Sequence, residues 1–186
     1  MKTVLLVDDD PNDVFLLRHA MKKAGVPNPL QVATDGQQAI DYLQGAGKFA
    51  DREKFPFPCL MLTDLKLPHV MGLDVLKWVR QESGRVLVVV LLTASAESRD
   101  IAAAYRLGAN GFLVKPSQAN QLVEMVKAIR DFWLTFNTLP QEPYPEGAGA
   151  PAHWCRIDPG VEGSPATNGG RRTSGPRMSR QAKRSL

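Results

Sequence analysis

Acidic, hydroxyl and lysine side chains follow the ends of short apolar runs in this 186-residue chain. These residues are, in chain order, Asp8, Asp9, Asp64, Thr93 and Lys115. The runs before them are rich in Val and Leu, which predicts β-strands. If the strands are parallel, their carboxyl ends meet at one edge of a sheet, where open α/β folds bind ligands. The sequence therefore predicts one cleft that holds three carboxylates, a hydroxyl and an ammonium group.

The chemistry that this set of groups favours is transfer of a phosphoryl group to a carboxylate. Three clustered carboxylates repel one another unless a cation lies between them, and Mg²⁺ suits hard oxygen ligands. A carboxylate beside bound Mg²⁺ can attack phosphorus, because the metal neutralises charge on the phosphoryl oxygens. The remaining oxygens need a hydroxyl donor and a cation, which Thr93 and Lys115 supply. The residues thus indicate an aspartyl-phosphate site.

The elements that must position this cleft alternate between apolar runs and amphipathic stretches. The predicted strands are Thr3–Val7, Leu30–Ala33, Leu60–Thr63, Val86–Leu92 and Gly111–Val114. The predicted helices are one from Pro11 to Gly25 capped by Asp10, then Gln37–Leu43, Gly72–Gln81, Glu97–Leu107 and Gln118–Phe136. Residues 44–58 are predicted as a loop. Five β-α repeats predict an α/β fold with a parallel sheet and helices on both faces.

Charge and composition divide the chain near Leu139–Pro140. The net charge is +4 and the pI is about 9.2, but residues 1–139 hold 16 basic and 15 acidic side chains. Residues 140–186 hold 7 basic and 4 acidic side chains with 7 Pro and 7 Gly, a composition typical of disorder. We expect a folded domain over 1–139 and a basic, disordered tail over 140–186. No specific nucleic-acid binding is expected, because the basicity belongs to the tail.

The number of cysteines and the lengths of the apolar runs disfavour several classes of protein. Two cysteines cannot form a disulfide framework, which disfavours a small secreted scaffold and favours a cytoplasmic location. The longest apolar run, Val86–Leu92, is too short to span a bilayer, so no membrane association is expected. The apolar part of the opening MKTVLLV is too short for a signal peptide.

Four motifs resemble, in order and spacing, the signatures of the response-regulator receiver domain of two-component signalling. They are VLLVDDDP, MLTDLKLPHVMGLDVL, LLTASA and GANGFLVKP, and the resemblance covers residues 1 to about 137. The resemblance implies a flavodoxin-like, doubly wound (βα)5 fold whose five-stranded parallel sheet has the order 2-1-3-4-5. It also implies a protein that accepts a phosphoryl group from a sensor histidine kinase.

The resemblance assigns roles to individual residues. The phosphoacceptor is Asp64. The implied Mg²⁺ ligands are Asp8, Asp9, Asp64 and the backbone carbonyl of Lys66. Thr93 and Lys115 bind the phosphoryl group, and Thr93 and Phe112 form the conformational switch. The Lys115–Pro116 peptide bond is expected to be cis.

Softer motifs suggest a subgroup. GKFADREKFPFP, DLKLP, KWVRQ and DFWLTFNTLP are similar to segments of stand-alone regulators that pair with cyanobacterial and bacterial phytochromes. This implies a bacteriophytochrome as the kinase. No folded output domain is predicted after residue 139, so the expected output is binding. One candidate is a homodimer through the last two helices and last strand, since the apolar stripe at Trp133 and Phe136 exceeds what one domain can cover.

Two alternatives stay open. A phosphohydrolase of the haloacid dehalogenase type also uses an aspartyl phosphate, but it places the nucleophile on the first strand before a Thr or Ser. Here Asp8-Asp9-Asp10-Pro11 lacks that hydroxyl. The basic tail could instead bind nucleic acid weakly and without sequence preference. Our expectation is a phosphoacceptor that catalyses its own phosphorylation and dephosphorylation rather than an enzyme with a separate substrate.

Overall fold

The computed structural model describes residues 2–81, 83 and 86–138, so the predicted tail lies outside the described residues. The strands are β1 (Thr3–Val7), β2 (Leu30–Ala33), β3 (Pro58–Thr63), β4 (Val88–Thr93) and β5 (Gly111–Val114). The helices are α1 (Pro11–Lys23), α2 (Gly36–Gln44), α3 (Gly72–Gln81), α4 (Ser98–Arg106) and α5 (Ala119–Ile129). A π-helical segment, Arg130–Phe136, continues α5.

The five strands form one parallel sheet with the order β2-β1-β3-β4-β5. This confirms the predicted α/β, flavodoxin-like (βα)5 fold. The order reverses between β1 and β3, which places the switch point of the sheet where both strands end. Within the described ranges, no helix is both long enough and apolar enough to cross a membrane.

Alternate residues of the central strands build two apolar cores. In β1, Val4 and Leu6 pack on the side of α1 and α5, whereas Leu5 and Val7 pack on the side of α2 and α3. All four are at most 1% exposed. Successive side chains of a strand point to opposite faces, so an apolar run such as TVLLV needs helices on both faces.

Two aspartates begin helices at the carboxyl edge of the sheet. The Asp10 side chain accepts the N–H of Asn12 at 2.8 Å, with Pro11 in the first helical position. Asp35 likewise accepts the N–H of Gln38 at 2.8 Å. Each cap satisfies an amide that has no partner within its helix. As a result, the first turns of α1 and α2 lie beside the ends of β1 and β2.

The last helix differs from the prediction of one regular helix over 118–136. After Ile129 the backbone is π-helical, with hydrogen bonds that span five residues rather than four. This change of period breaks the expected apolar stripe: Trp133 and Leu134 pack against the α1–α5 core, while Phe136 is 78% exposed. The strand predicted from Val86 also begins later, at Val88.

The loop predicted over 44–58 is a packed segment that includes a 3-10 turn, Gly47–Phe49. The rings of Tyr42, Phe49 and Phe55 contact one another, with centroids 5.1–6.1 Å apart. Arg52 donates to the carbonyl oxygens of Tyr42 and Leu43 at 2.7 Å each. It thereby satisfies acceptors at the end of α2. Burial raises the pKa of Tyr42 to about 12.

Candidate functional site

The backbone holds three of the predicted site residues one position beyond the strand ends. The N–H groups of Asp8, Asp64 and Lys115 donate to the carbonyl oxygens of Ala33, Val7 and Thr93, at 3.0, 2.9 and 2.8 Å respectively. These bonds extend the sheet ladder by one residue on three strands. The side chains therefore leave the sheet at the same edge, as the sequence predicts.

The Lys115 ammonium group lies at the centre of a carboxylate cluster. Its Nζ is 2.7 Å from Asp8 Oδ2, 2.7 Å from Asp13 Oδ2 and 3.0 Å from Asp64 Oδ2. The exposed fraction of the side chain is 2% for Asp8, 13% for Lys115, 15% for Asp64 and 37% for Asp13. The cluster is therefore closed at Asp8 and open to water at Asp13.

Asp13 is a member of this cluster that the sequence reasoning missed. The three carboxylates were expected to be those of Asp8, Asp9 and Asp64, yet Asp9 is exposed and Asp13 makes the third ion pair with Lys115. The available signal was its position in the first turn of α1, which begins soon after β1 ends. Acids are favoured there by the helix dipole. Asp13 does not directly follow a strand, so the pattern of residues at strand ends does not include it.

Burial and charge oppose each other in this cluster. Burial raises the pKa of Asp8 above its ordinary value, although the hydrogen bond from Lys115 acts to lower it. Burial alone would lower the pKa of Lys115, but its hydrogen bonds to Asp13, Asp8 and Asp64 outweigh that effect and raise it. Lys115 is accordingly a fixed cation, and Asp8 is a carboxylate whose charge depends on a cation beside it.

The two oxygens of Asp64 have different surroundings. Oδ1 accepts the N–H groups of Leu65 at 2.5 Å and Lys66 at 3.3 Å. Oδ2 faces Lys115. The Asp64 carbonyl oxygen accepts the Thr63 hydroxyl at 3.0 Å. One carboxylate oxygen is thus anchored to the main chain, and the other is directed into the cleft.

Two glycines allow the loop after Asp64 to pack closely. A Cβ atom at Gly72 would lie 1.9 Å from the Asp64 carbonyl oxygen, and one at Gly36 would lie 2.0 Å from the Val70 carbonyl oxygen. The Gly72 N–H donates to the Leu65 carbonyl at 3.0 Å. The first residues of α2 and α3 therefore lie directly against the main chain at Val70 and Asp64.

The remaining predicted residues lie around the cluster. Thr93 is 2% exposed, and its hydroxyl accepts the Ser95 N–H at 3.4 Å. Phe112, opposite Leu91 in the sheet, is half-buried and packs against the α2–α3 core. Lys66 is exposed. The structure brings Asp8, Asp64 and Lys115 into contact, with Thr93 on the strand beside Lys115.

The expected cis bond between Lys115 and Pro116 is wrong, because no cis peptide bond occurs among the described residues. The trans form of such a bond is the more stable by about 0.5–1 kcal/mol.

The donor chemistry fits a small divalent cation. Asp8 Oδ2 and Asp64 Oδ2 already share one cation, the Lys115 ammonium group, within 3.0 Å. In the ranges that the structure describes, no three Asp, Glu, His or Cys side chains form a metal-ligand set. In this arrangement Asp8 and Asp64 are the two carboxylates in place for a cation, and the exposed Asp9 side chain, a backbone carbonyl and water would supply its remaining ligands. Mg²⁺ is commonly bound in this way.

Comparisons with known proteins identify the family of this chain. The response regulator receiver domain matches residues 4–127. Response regulator Rcp1 of Synechocystis is 36% identical over 140 residues, which are 75% of this chain and 93% of Rcp1. A Mn²⁺-bound form of Rcp1 has a TM-score of 0.66 and 35% identity, over 75% of this chain and 99% of that structure.

Two further structures are similar. RPA3017, a response regulator in red light signaling of R. palustris, has a TM-score of 0.72 and 35% identity, over 76% of this chain and all of that structure. The phosphorylated cyanobacterial phytochrome response regulator RcpA has a TM-score of 0.68 and 34% identity, over 75% and 98%. Because the family covers more than half of the sequence, this chain belongs to the response regulator receiver domains of two-component signalling.

Proposed function

We propose that Asp64 is the phosphoacceptor of this receiver domain and that a histidine kinase supplies the phosphoryl group in a Mg²⁺-dependent reaction. The observation that carries the proposal is the Lys115 ammonium group within 3.0 Å of both Asp64 and Asp8. A nucleophilic carboxylate, an acidic partner for a metal ion and a fixed cation thereby share one cleft. RcpA, a similar protein, is described in a phosphorylated form.

The contacts of Asp64 favour Oδ2 as the proposed reacting oxygen. Asp64 Oδ1 is held by two main-chain N–H groups, so Oδ2 makes the new P–O bond. The P–N bond to the kinase histidine breaks, and its electron pair stays on the imidazole nitrogen, which takes up a proton from water. Mg²⁺ bound by Asp8, Asp9, Asp64 and the Lys66 carbonyl would neutralise charge on the phosphoryl oxygens. Lys115 pairs with one of those oxygens.

Thr93 and Phe112 convert this local event into a change of surface. The Thr93 hydroxyl loses little when it turns toward the phosphoryl group, because its 3.4 Å bond to Ser95 is long for a hydrogen bond. The space that it leaves allows the half-buried Phe112 ring to move inward. The protein therefore acts as a switch that catalyses its own phosphorylation and dephosphorylation, not as an enzyme with a separate substrate.

Phosphorylation with a labelled kinase tests the site. Wild type should acquire an acid-stable, alkali-labile label in Mg²⁺, and Asp64→Asn should acquire none. The matched control is Asp74→Asn, an exposed aspartate in the first turn of α3. A label that maps to Asp8 would instead support the haloacid dehalogenase alternative, and a label retained in Asp64→Asn would contradict the proposal.

A phytochrome kinase is the proposed donor. The support is that RPA3017 is described in red light signaling and RcpA as a phytochrome response regulator. Rates of phosphotransfer from a panel of histidine kinases test this, and the bacteriophytochrome should be the fastest donor. A faster transfer from an unrelated kinase would contradict it.

The proposed output is self-association through α4, β5 and α5. Tyr105 on α4 and Val114 on β5 are 49% and 45% exposed, and Phe132 beyond α5 is 58% exposed. Exposed apolar groups on adjoining elements are typical of a protein interface.

The proposed cellular location is the cytoplasm.

A further inference from the structure

All three donors of the Lys115 ammonium group are paired. An ammonium group has three N–H bonds, and Asp8, Asp13 and Asp64 each accept one at 2.7–3.0 Å. A phosphoryl oxygen that binds Lys115 must therefore replace one of these carboxylates. Binding of the phosphoryl group is an exchange of partners rather than the addition of one.

The three carboxylates differ in what their release would cost. Asp64 Oδ2 becomes the ester oxygen of the aspartyl phosphate and loses its charge, so the phosphoryl oxygens compete for Lys115 with the two remaining carboxylates, Asp8 and Asp13. Asp8 is 2% exposed and needs a cation beside it, so it can leave Lys115 only for the metal ion. Asp13 is 37% exposed, so water can solvate its carboxylate when the ion pair breaks. Asp13 is the partner that is released at the lowest cost.

We infer that Asp13 is a positioning residue that holds Lys115 in the unphosphorylated protein and yields it to the phosphoryl group. This inference rests on the proposed function of Asp64. An interaction present in only one of two states shifts the equilibrium toward that state. Asp13 therefore weakens binding of the phosphoryl group and shortens its lifetime.

The test measures the affinity of the full chain for beryllium fluoride, a phosphoryl mimic, by calorimetric titration in Mg²⁺. Asp13→Asn keeps the shape of the side chain but removes its charge, and should bind about two- to fivefold more tightly than wild type, as expected for a partly exposed ion pair. Its aspartyl phosphate should persist longer by a similar factor. Asp13→Glu restores the carboxylate and should return both values toward wild type. Asp74→Asn is the matched surface control.

Unchanged or weaker binding by Asp13→Asn would overturn the inference. If Asp13→Glu bound beryllium fluoride as tightly as Asp13→Asn, the inference would also be overturned. A change in local structure, rather than the loss of charge, would then explain the tighter binding of both variants. Failure of the proposed function has a different signature. In that case wild type and Asp64→Asn would bind beryllium fluoride alike, whatever stands at position 13.

Discussion

At the scale of single residues, the site is defined by an imbalance of charge. Three carboxylates surround one ammonium group, so the cluster keeps an excess of negative charge. An aspartyl phosphate carries nearly two negative charges in place of the single charge of the Asp64 carboxylate. Lys115 alone cannot balance both, and this is the physical reason for a divalent cation beside Asp8 and Asp64.

Removal of Lys115 should make the protein depend on that cation. In EDTA, Lys115→Met should lower the free energy of unfolding by about 1–3 kcal/mol, because Asp8 is left buried without a positive partner. Added Mg²⁺ should restore more stability to this variant than to wild type. Urea titrations with and without Mg²⁺ measure this, with Lys77→Met, at an exposed lysine of α3, as the control. If Mg²⁺ stabilised Lys115→Met and the control variant equally, this prediction would be contradicted.

Residue types at strand ends were enough to find most of the cluster. Asp8, Asp64 and Lys115 each follow an apolar run directly, so the parallel topology alone brings them together. Asp13 escaped, because its contact depends on the direction in which the first turn of α1 projects. The exposure of Asp9 likewise depends on side-chain conformation, which the sequence pattern does not specify.

At the scale of elements, the caps of α1 and α2 connect the helices to the site edge. The Gln38 N–H bond lowers the pKa of Asp35 despite partial burial, which alone would raise it. A lowered pKa in the native state means that Asp35 stabilises the fold above its ordinary pKa of 3.8, and that this stability is lost as the pH falls through the lower native value.

Asp35→Ala should therefore destabilise the protein by about 1 kcal/mol at pH 7. The difference from wild type should narrow below pH 3.8, because the wild-type carboxylate becomes protonated. Chemical unfolding at several pH values measures this, and Asp74→Ala serves as the surface control. A difference that stays constant down to pH 2 would rule out a charged cap.

The glycine at the start of α3 should tolerate no side chain. In Gly72→Ala the new Cβ atom would meet the Asp64 carbonyl oxygen at 1.9 Å, so we expect a loss of about 1–3 kcal/mol and slower phosphorylation of Asp64. Gly111→Ala is the control, because its nearest neighbour would be 3.6 Å away. Thermal unfolding and labelling rates measure both variants. Similar losses in the two would show that the close approach is unimportant.

Sequence patterns predicted the positions of the strands and helices well. They did not predict local conformation where a change of helical period or a tertiary contact determines it. The π-helical segment after Ile129 follows no composition signal, so the regular helix predicted over 118–136 is wrong there. The exposure of Phe136 agrees with the expectation that one domain does not cover the whole apolar stripe. The segment after α2 contains Gly and Pro and was predicted as a loop. It is ordered by Arg52, whose bonds to the end of α2 depend on the folded chain.

At the scale of the whole molecule, the exposed apolar groups of α4, β5 and the π-helical segment should decide association. With beryllium fluoride and Mg²⁺, light scattering should show a larger mass for wild type, and Val114→Lys should shift that mass toward the monomer. Leu16→Lys, on α1 and 43% exposed, is the matched control. A mass unaffected by Val114→Lys would place the interface elsewhere.

The ladder bonds that extend the strands into the site also determine how the site moves. The amide hydrogens of Asp64 and Lys115 are bonded to β1 and β4, whose residues are all buried, and that of Asp8 is bonded to Ala33, the buried last residue of the otherwise half-buried β2. They can exchange with solvent only when the sheet itself opens, so their exchange rates should match those of the core although their side chains reach water. A substitution in the interior, far from the cleft, should therefore speed exchange at all three positions together.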